Sequence, residues 1–141
     1  MVTPFRLTRR VQFYETDAAG IVHFSWYPRY MEEAEHAMWR AHGLTIHASG
    51  SAIGWPRVAI TFDYHTPLRF EDEFEVAIEV VAMSARSLRY RCELTRAGTP
   101  VATGSMTIVC VEYQPGEKPR AVPIPPEVAA HFAASPDLPE A

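Results

Sequence analysis

The sequence predicts an α+β domain, one long helix against a curved, mostly antiparallel sheet, in the order β–α–β–β–β–β. Three observations predict it. A single amphipathic stretch lies early, between residues 24 and 43. Five strand-like stretches flank it, one before and four after, and all but the last alternate apolar and polar residues. No internal repeat or linker composition interrupts them, so the 141 residues read as one domain over 1–134 with a disordered tail at 135–141. A helix with an apolar face must bury it, and four successive strands can wrap it.

The first strand is read over residues 5–14, with Phe5, Leu7, Val11 and Phe13 on one face and Arg6, Thr8, Arg10 and Gln12 on the other. Residues 15–23 follow as a loop with Gly20 as its flexible point. The helix starts near Phe24 or Ser25, with Ser25 as N-cap and Pro28 tolerated in the first turn. Tyr27, Tyr30, Met31, Ala34, Met38 and Ala41 recur at three- and four-residue steps, and Gly43 stops the helix. Trp26 and Trp39 widen the apolar stripe, so cover is expected on more than one side.

Residues 45–57 form a connection containing Gly50, Gly54 and Pro56. In the next strand Val58, Ile60, Phe62 and Tyr64 alternate with Thr61, Asp63 and His65. In the one after, Phe74, Val76, Ile78 and Val80 alternate with Glu73, Glu75 and Glu79, which are expected in solvent. Leu88, Tyr90, Cys92 and Leu94 then alternate with Arg89, Arg91, Glu93 and Thr95. Ala97-Gly98-Thr99-Pro100 turns the chain. The last strand, 101–113, is apolar on both faces and is expected inside the sheet. Gln114–Pro126 reads as loop and Glu127–Ala134 as a short helix. One sheet around one helix leaves edges and a face for further copies, so a homodimer or homotetramer is expected.

Composition narrows the function. The formal net charge of −4 argues against a nucleic-acid binder. The N-terminus lacks the apolar segment of a signal peptide, and no apolar run approaches the roughly 20 residues that span a bilayer. A cytoplasmic protein without membrane contact is expected. Cys92 and Cys110 lie in strand sequence without metal-ligand spacing and read as buried, reduced thiols. The six histidines show no i, i+4 pair and no Cys/His cluster, so no metal is expected.

Chemistry concentrates between Tyr14 and Tyr30, where a strand runs in and a helix runs out. Asp17 and His23 flank Gly20 there. A strand-to-helix junction can present a carboxylate beside the free N–H groups of a helix start, which carry the positive end of the helix dipole. That suits attack on a carbonyl carbon whose oxygen needs stabilising. Glu15 is read as pointing to solvent, and Glu32 and Glu33 as a solvated helix face.

The stretch Val11–Glu33, VQFYETDAAGIVHFSWYPRYMEE, resembles the signature of hotdog-fold acyl-CoA thioesterases, in the 4-hydroxybenzoyl-CoA thioesterase and YbgC-like branch. Tyr14 and Glu15 stand as aromatic and acid, Thr16-Asp17 as the central pair, and Ala18-Ala19-Gly20 as the small residues. Ile21-Val22 are the two aliphatics, followed by His23 and Phe24. The resemblance implies a hotdog fold and hydrolysis of an acyl-CoA to a free acid and coenzyme A, with no cofactor beyond the CoA of the substrate. It implies Asp17 as nucleophile or general base and the Phe24 backbone N–H as oxyanion donor. His23 would orient water or substrate, or protonate the thiolate. Tyr14, Trp26, Tyr27 and Gly54 are implied at the acyl group, and Arg86, Ser87 and Arg120 at the CoA end. The basic residues would meet the CoA phosphates, on a neighbouring chain if the site lies between subunits. Two other readings remain: a hotdog dehydratase on hydroxyacyl thioesters, and a non-catalytic acyl-CoA-binding module.

Overall fold

The computed structural model describes residues 3–132. Strand β1 (Phe5–Arg10) leads through a short 3-10 turn (Phe13–Glu15) and a loop into helix α1 (Trp26–Ala41). Then come β2 (Ile53–Gly54), β3 (Arg57–Tyr64), β4 (Glu73–Met83), β5 (Ser87–Arg96), β6 (Thr99–Val109), β7 (Val111–Glu112), β8 (Arg120–Ala121) and α2 (Pro126–Phe132). The main sheet has the order β1-β4-β5-β6-β3, every neighbour antiparallel. The α+β expectation is met. The final strand of the expected order is β6, inside the sheet between β5 and β3.

The core forms where α1 lies on the sheet. Tyr30, Met31, Ala34, Met38 and Trp39 of the helix meet the inward rows Val76 and Ile78, Leu88, Tyr90, Cys92 and Leu94, and Met106 and Ile108. These strand residues alternate strictly with exposed or half-buried ones, as a pleated sheet covered on one face requires. Both cysteines are buried and free of disulfides, and burial pushes the Cys92 thiol up to about 12.

Four expectations change. The first strand stops at Arg10 rather than at 14, because Val11 turns to exchange backbone hydrogen bonds with Asp72 and Glu71 and the 3-10 turn follows. Phe13 therefore leaves the apolar face and is exposed, with its ring against Phe70. On β3, Val58, Ile60 and Tyr64 are 58%, 44% and 52% exposed, because this strand is an edge of the sheet. A second sheet, β2-β7-β8, takes β2 and β8 from stretches read as connection and loop, and β7 from the end of the stretch read as the last strand, which breaks after Val109. Its strands are two residues long, too short to carry a period. The terminal helix is α2; Ala134 and the tail lie outside the described residues.

Candidate active site

The site is built at the junction between β1 and α1. After the 3-10 turn, Thr16 bridges Val22, and the Asp17 N–H donates to the Ile21 carbonyl at 2.9 Å. Between them the chain reverses through Ala18, Ala19 and Gly20. Gly20 has φ +82°, a left-handed conformation that a side chain disfavours. The far arm is fixed by Val22 N–H to the Leu68 carbonyl at 2.8 Å and His23 N–H to the Glu15 carbonyl at 2.9 Å. Asp17 is thus set at the base of a closed loop. Its Oδ1 accepts the Ala19 N–H at 2.8 Å, which fixes one carboxylate oxygen and leaves Oδ2 for other partners.

Helix α1 begins on the same arm. The Trp26 N–H donates to the His23 carbonyl at 3.0 Å and the Tyr27 N–H to the Phe24 carbonyl at 3.4 Å. Among the described residues, the Phe24 N–H has no hydrogen-bond partner. An unpartnered N–H beside a helix N-terminus is suited to an oxygen bearing negative charge. Ser25 stands at the N-cap position but makes no cap hydrogen bond; its hydroxyl meets His23 Nδ1 at 2.8 Å instead.

Asp17, Phe24 and Tyr27 line one cleft of about 360 Å³ with Ile21 and Val22. Tyr64, His65, Thr66 and Pro67, at the end of β3 and beyond, form its other wall. The wall is largely apolar and aromatic. Tyr27 is buried with its ring 5.0 Å from that of Tyr64, and burial pushes its phenol upward. The cleft therefore joins a carboxylate, a free backbone donor and room for an apolar group.

The remaining expected residues lie elsewhere. His23 does not line the cleft; its ring lies 4.4 Å from that of Phe24 and is bonded to Ser25. Tyr14 is 67% exposed and packs on Trp26 at 5.5 Å, outside the cleft lining. Gly54 sits in β2 opposite Val111, where a Cβ would run into the Tyr113 ring. Arg86, Ser87 and Arg120 gather at that same end. The Cys110 N–H donates to the Arg86 carbonyl at 2.7 Å, and the Cys110 carbonyl accepts from Val122 at 3.0 Å. Ser87 pairs with Val109 at the start of β5, its hydroxyl 2.6 Å from that of Ser84. Arg120 reaches Glu112 at 3.2 Å. Asp17 faces the opposite end, where His65 bonds to Val101 at the start of β6. The ten residues of β5 separate the two ends by about 30 Å.

Sequence reading missed two kinds of residue. His65, Thr66 and Pro67 reach the cleft through tertiary folding alone. Glu15 and Glu35 are fully buried, against the expectation that Glu15 is solvated. Glu15 accepts from both terminal nitrogens of Arg9, from the Gln12 N–H and from the Tyr30 hydroxyl. Burial works against its charge, but these donors outweigh it and hold the carboxyl below its ordinary value. Glu35 is paired with Arg57. Glu33 and Glu32 remain partly exposed but bond to the same two arginines.

A family model described as the thioesterase-like superfamily matches residues 11–132. The chain belongs to that superfamily. The thioesterase-like chain is 33% identical over 127 residues to the acyl-CoA thioester hydrolase YbgC of Escherichia coli O6:H1, across 86% of this chain and 91% of that protein. It is 30% identical over 114 residues to the 1,4-dihydroxy-2-naphthoyl-CoA hydrolase of Synechococcus elongatus, across 78% and 83%. A solved structure of an Aquifex aeolicus protein matches with a TM-score of 0.84 at 32% identity, covering 92% of this chain and 99% of that one. A gentisyl-coenzyme A thioesterase matches at 0.81 and 27%, covering 90% and 98%. The thioesterase-like chain thus has the hotdog fold, α1 wrapped by the five-stranded sheet, and stands among enzymes that hydrolyse thioesters. No helix among its described residues is long and apolar enough to cross a membrane.

Proposed function

We propose that the protein is an acyl-CoA thioesterase, releasing a carboxylic acid and coenzyme A, with Asp17 as its reacting carboxylate. The observation that carries this reading is the pairing, on one apolar cleft, of Asp17 with the unpartnered Phe24 N–H. Asp17 Oδ2 attacks the thioester carbon, the C–S bond breaks, and water cleaves the resulting anhydride; in the equivalent base route, Asp17 takes the proton of an attacking water. In both routes the carbonyl oxygen gains charge, and the Phe24 N–H at the helix start stabilises it. The leaving thiolate is protonated from water. His23 assists from the rim after its ring turns away from Ser25. No cofactor beyond the CoA of the substrate enters the scheme, and the cytoplasm supplies that substrate.

The site is shared between two copies. An extended CoA must reach basic residues, yet Arg86 and Arg120 lie a strand's length from Asp17 in the same chain. A two-fold pairing of β3 edges would be antiparallel. It would bury Val58, Ile60 and Tyr64 and bring the Gly54, Arg86, Ser87 and Arg120 end of one chain to the Asp17 end of the other. A homodimer is the minimal unit of this reading, and a homotetramer of two such dimers is compatible with it.

Free-thiol release from short-chain, long-chain and aromatic acyl-CoAs tests the proposal, with wild type beside Asp17→Asn. Wild type is expected to cleave at least one, and the variant to lose about 10²-fold in kcat while still folded. An enoyl thioester in place of free thiol would identify a dehydratase. Tight acyl-CoA binding without turnover would identify a binding module. An Asp17→Asn protein as active as wild type would remove Asp17 from the mechanism.

A further inference from the structure

We propose that Glu15 is a positioning residue: with Arg9 and Tyr30 it clamps both arms of the Asp17 loop to the helix. The inference rests on the Asp17 mechanism above and adds the part of the molecule that holds its geometry.

Glu15 lies two residues before Asp17, at the end of the 3-10 turn. Its neighbours Phe13 and Tyr14 are exposed, whereas its own side chain is fully buried. Arg9 donates from Nη1 at 2.6 Å and from Nη2 at 2.5 Å, the Gln12 N–H at 2.8 Å and the Tyr30 hydroxyl at 2.9 Å. Arg9 belongs to β1 and Tyr30 to the second turn of α1, so one carboxylate joins strand, turn and helix. The main chain of the same residue closes the loop from the other side, because its carbonyl accepts the His23 N–H at 2.9 Å. Asp17 hangs from one arm and the Phe24 N–H from the other. Arg9 is held in turn by Glu33 at 3.0 and 3.2 Å and lies 4.8 Å from the Tyr30 ring centre.

Stability alone is a poor reason for such a group. A buried ion pair is often no better for stability than well-packed apolar side chains of the same volume. What a bidentate, four-donor carboxylate supplies is a fixed position. A displacement of about 1 Å between reacting groups costs on the order of 100-fold in rate. The second buried carboxylate, Glu35, has the same kind of partners, Arg57 and Tyr90, yet among the described residues it accepts no hydrogen bond from the Asp17 loop. Glu15 is the one tied to the reacting arms.

The test uses Glu15→Gln, Tyr30→Phe and, as a stability control, Ile78→Ala in the sheet core. Glu15→Gln keeps the shape but loses the charge that holds Arg9. It is expected to lower kcat by about 10- to 100-fold with KM changed by less than about threefold. Tyr30→Phe removes only the helix-side hydrogen bond and is expected to lower kcat in the same manner by about threefold or more. Ile78→Ala lowers the melting temperature and leaves kcat unchanged. Wild-type kcat in folded Glu15→Gln and Tyr30→Phe would overturn the inference and leave the clamp a structural device. If Glu15→Gln does not fold, Tyr30→Phe decides alone. The two proposals fail differently: loss of activity in Asp17→Asn with none in the clamp variants sinks only the clamp. An active Asp17→Asn sinks the mechanism beneath it.

Discussion

Glu15 and Glu35 are carboxylates where an apolar side chain would be the ordinary occupant, and the titration of Glu15 is a readable consequence. Burial opposes the Glu15 charge, but Arg9, Gln12 and Tyr30 more than offset it, so the folded carboxyl lies below its ordinary 4.5. A group depressed by folding stabilises the native state above its unfolded pKa, and that stabilisation is lost as pH falls through the folded value. The urea midpoint is therefore expected to drop as the pH falls below about 4.5, and the drop should be shallower in Glu15→Gln. Equal slopes in the two proteins would show that Glu15 is not the group being titrated. Tyr30 works in the opposite sense: burial and then Glu15 raise its phenol, so its contribution is complete below pH 10 and fades above. The sequence did carry hints of both carboxylates. Arg9 interrupts the apolar row between Leu7 and Val11, and Glu35 stands four residues from both Met31 and Trp39 on the buried stripe of α1. A lone charge in a periodic pattern reads as solvent until its partner is known, and these partners are 6 to 22 residues away. The place of Asp17 at the junction before α1 was legible because one contiguous stretch carries the strand end, the loop and the helix start.

The long elements were legible for the same reason. Helix α1 and the interior strands repeat their pattern many times, and each ends close to where its pattern does. What periodicity did not reveal is how closely β3 and β6 approach. Gly104 in β6 lies opposite Phe62 in β3, and a Cβ on Gly104 would sit 2.5 Å from Phe62 Cε1. The Phe62 ring fills that space and reaches Tyr27, 6.4 Å away between centroids, behind the cleft. Gly104→Ala is expected to destabilise by about 1–3 kcal/mol, as overpacking does. Combining it with Phe62→Leu should recover part of the loss, since the two changes share one volume. Urea unfolding of the two single variants and the double variant measures this, and simple additivity would mean the ring escapes without strain. The histidine and proline wall of the cleft belongs to the same class of hidden facts: His65 and Pro67 follow β3, but only the assembled sheet brings them opposite Asp17.

At the scale of the whole molecule, the candidate catalytic and CoA-binding residues occupy opposite ends of one sheet, and an edge strand with exposed apolar side chains runs between them. The shared-site proposal makes a prediction that neither end makes alone. Asp17→Asn and the double variant Arg86→Ala/Arg120→Ala are each expected to be poor enzymes. Mixed in equal amounts and allowed to exchange, they should regain up to about a quarter of wild-type activity, because half of the dimers are hybrids and each hybrid holds one intact site. Thiol release from the mixture measures this, and no gain over the separate variants, with exchange verified, would return the CoA residues to the same chain as Asp17. The exposed edge of β3 has a further consequence for supply. If single chains are idle, output in dilute solution follows the square of their concentration, so doubling synthesis raises turnover about fourfold until association saturates. Gene dosage then acts as a throttle on hydrolysis, and a cell that makes only traces of the protein spares its thioesters without any inhibitor.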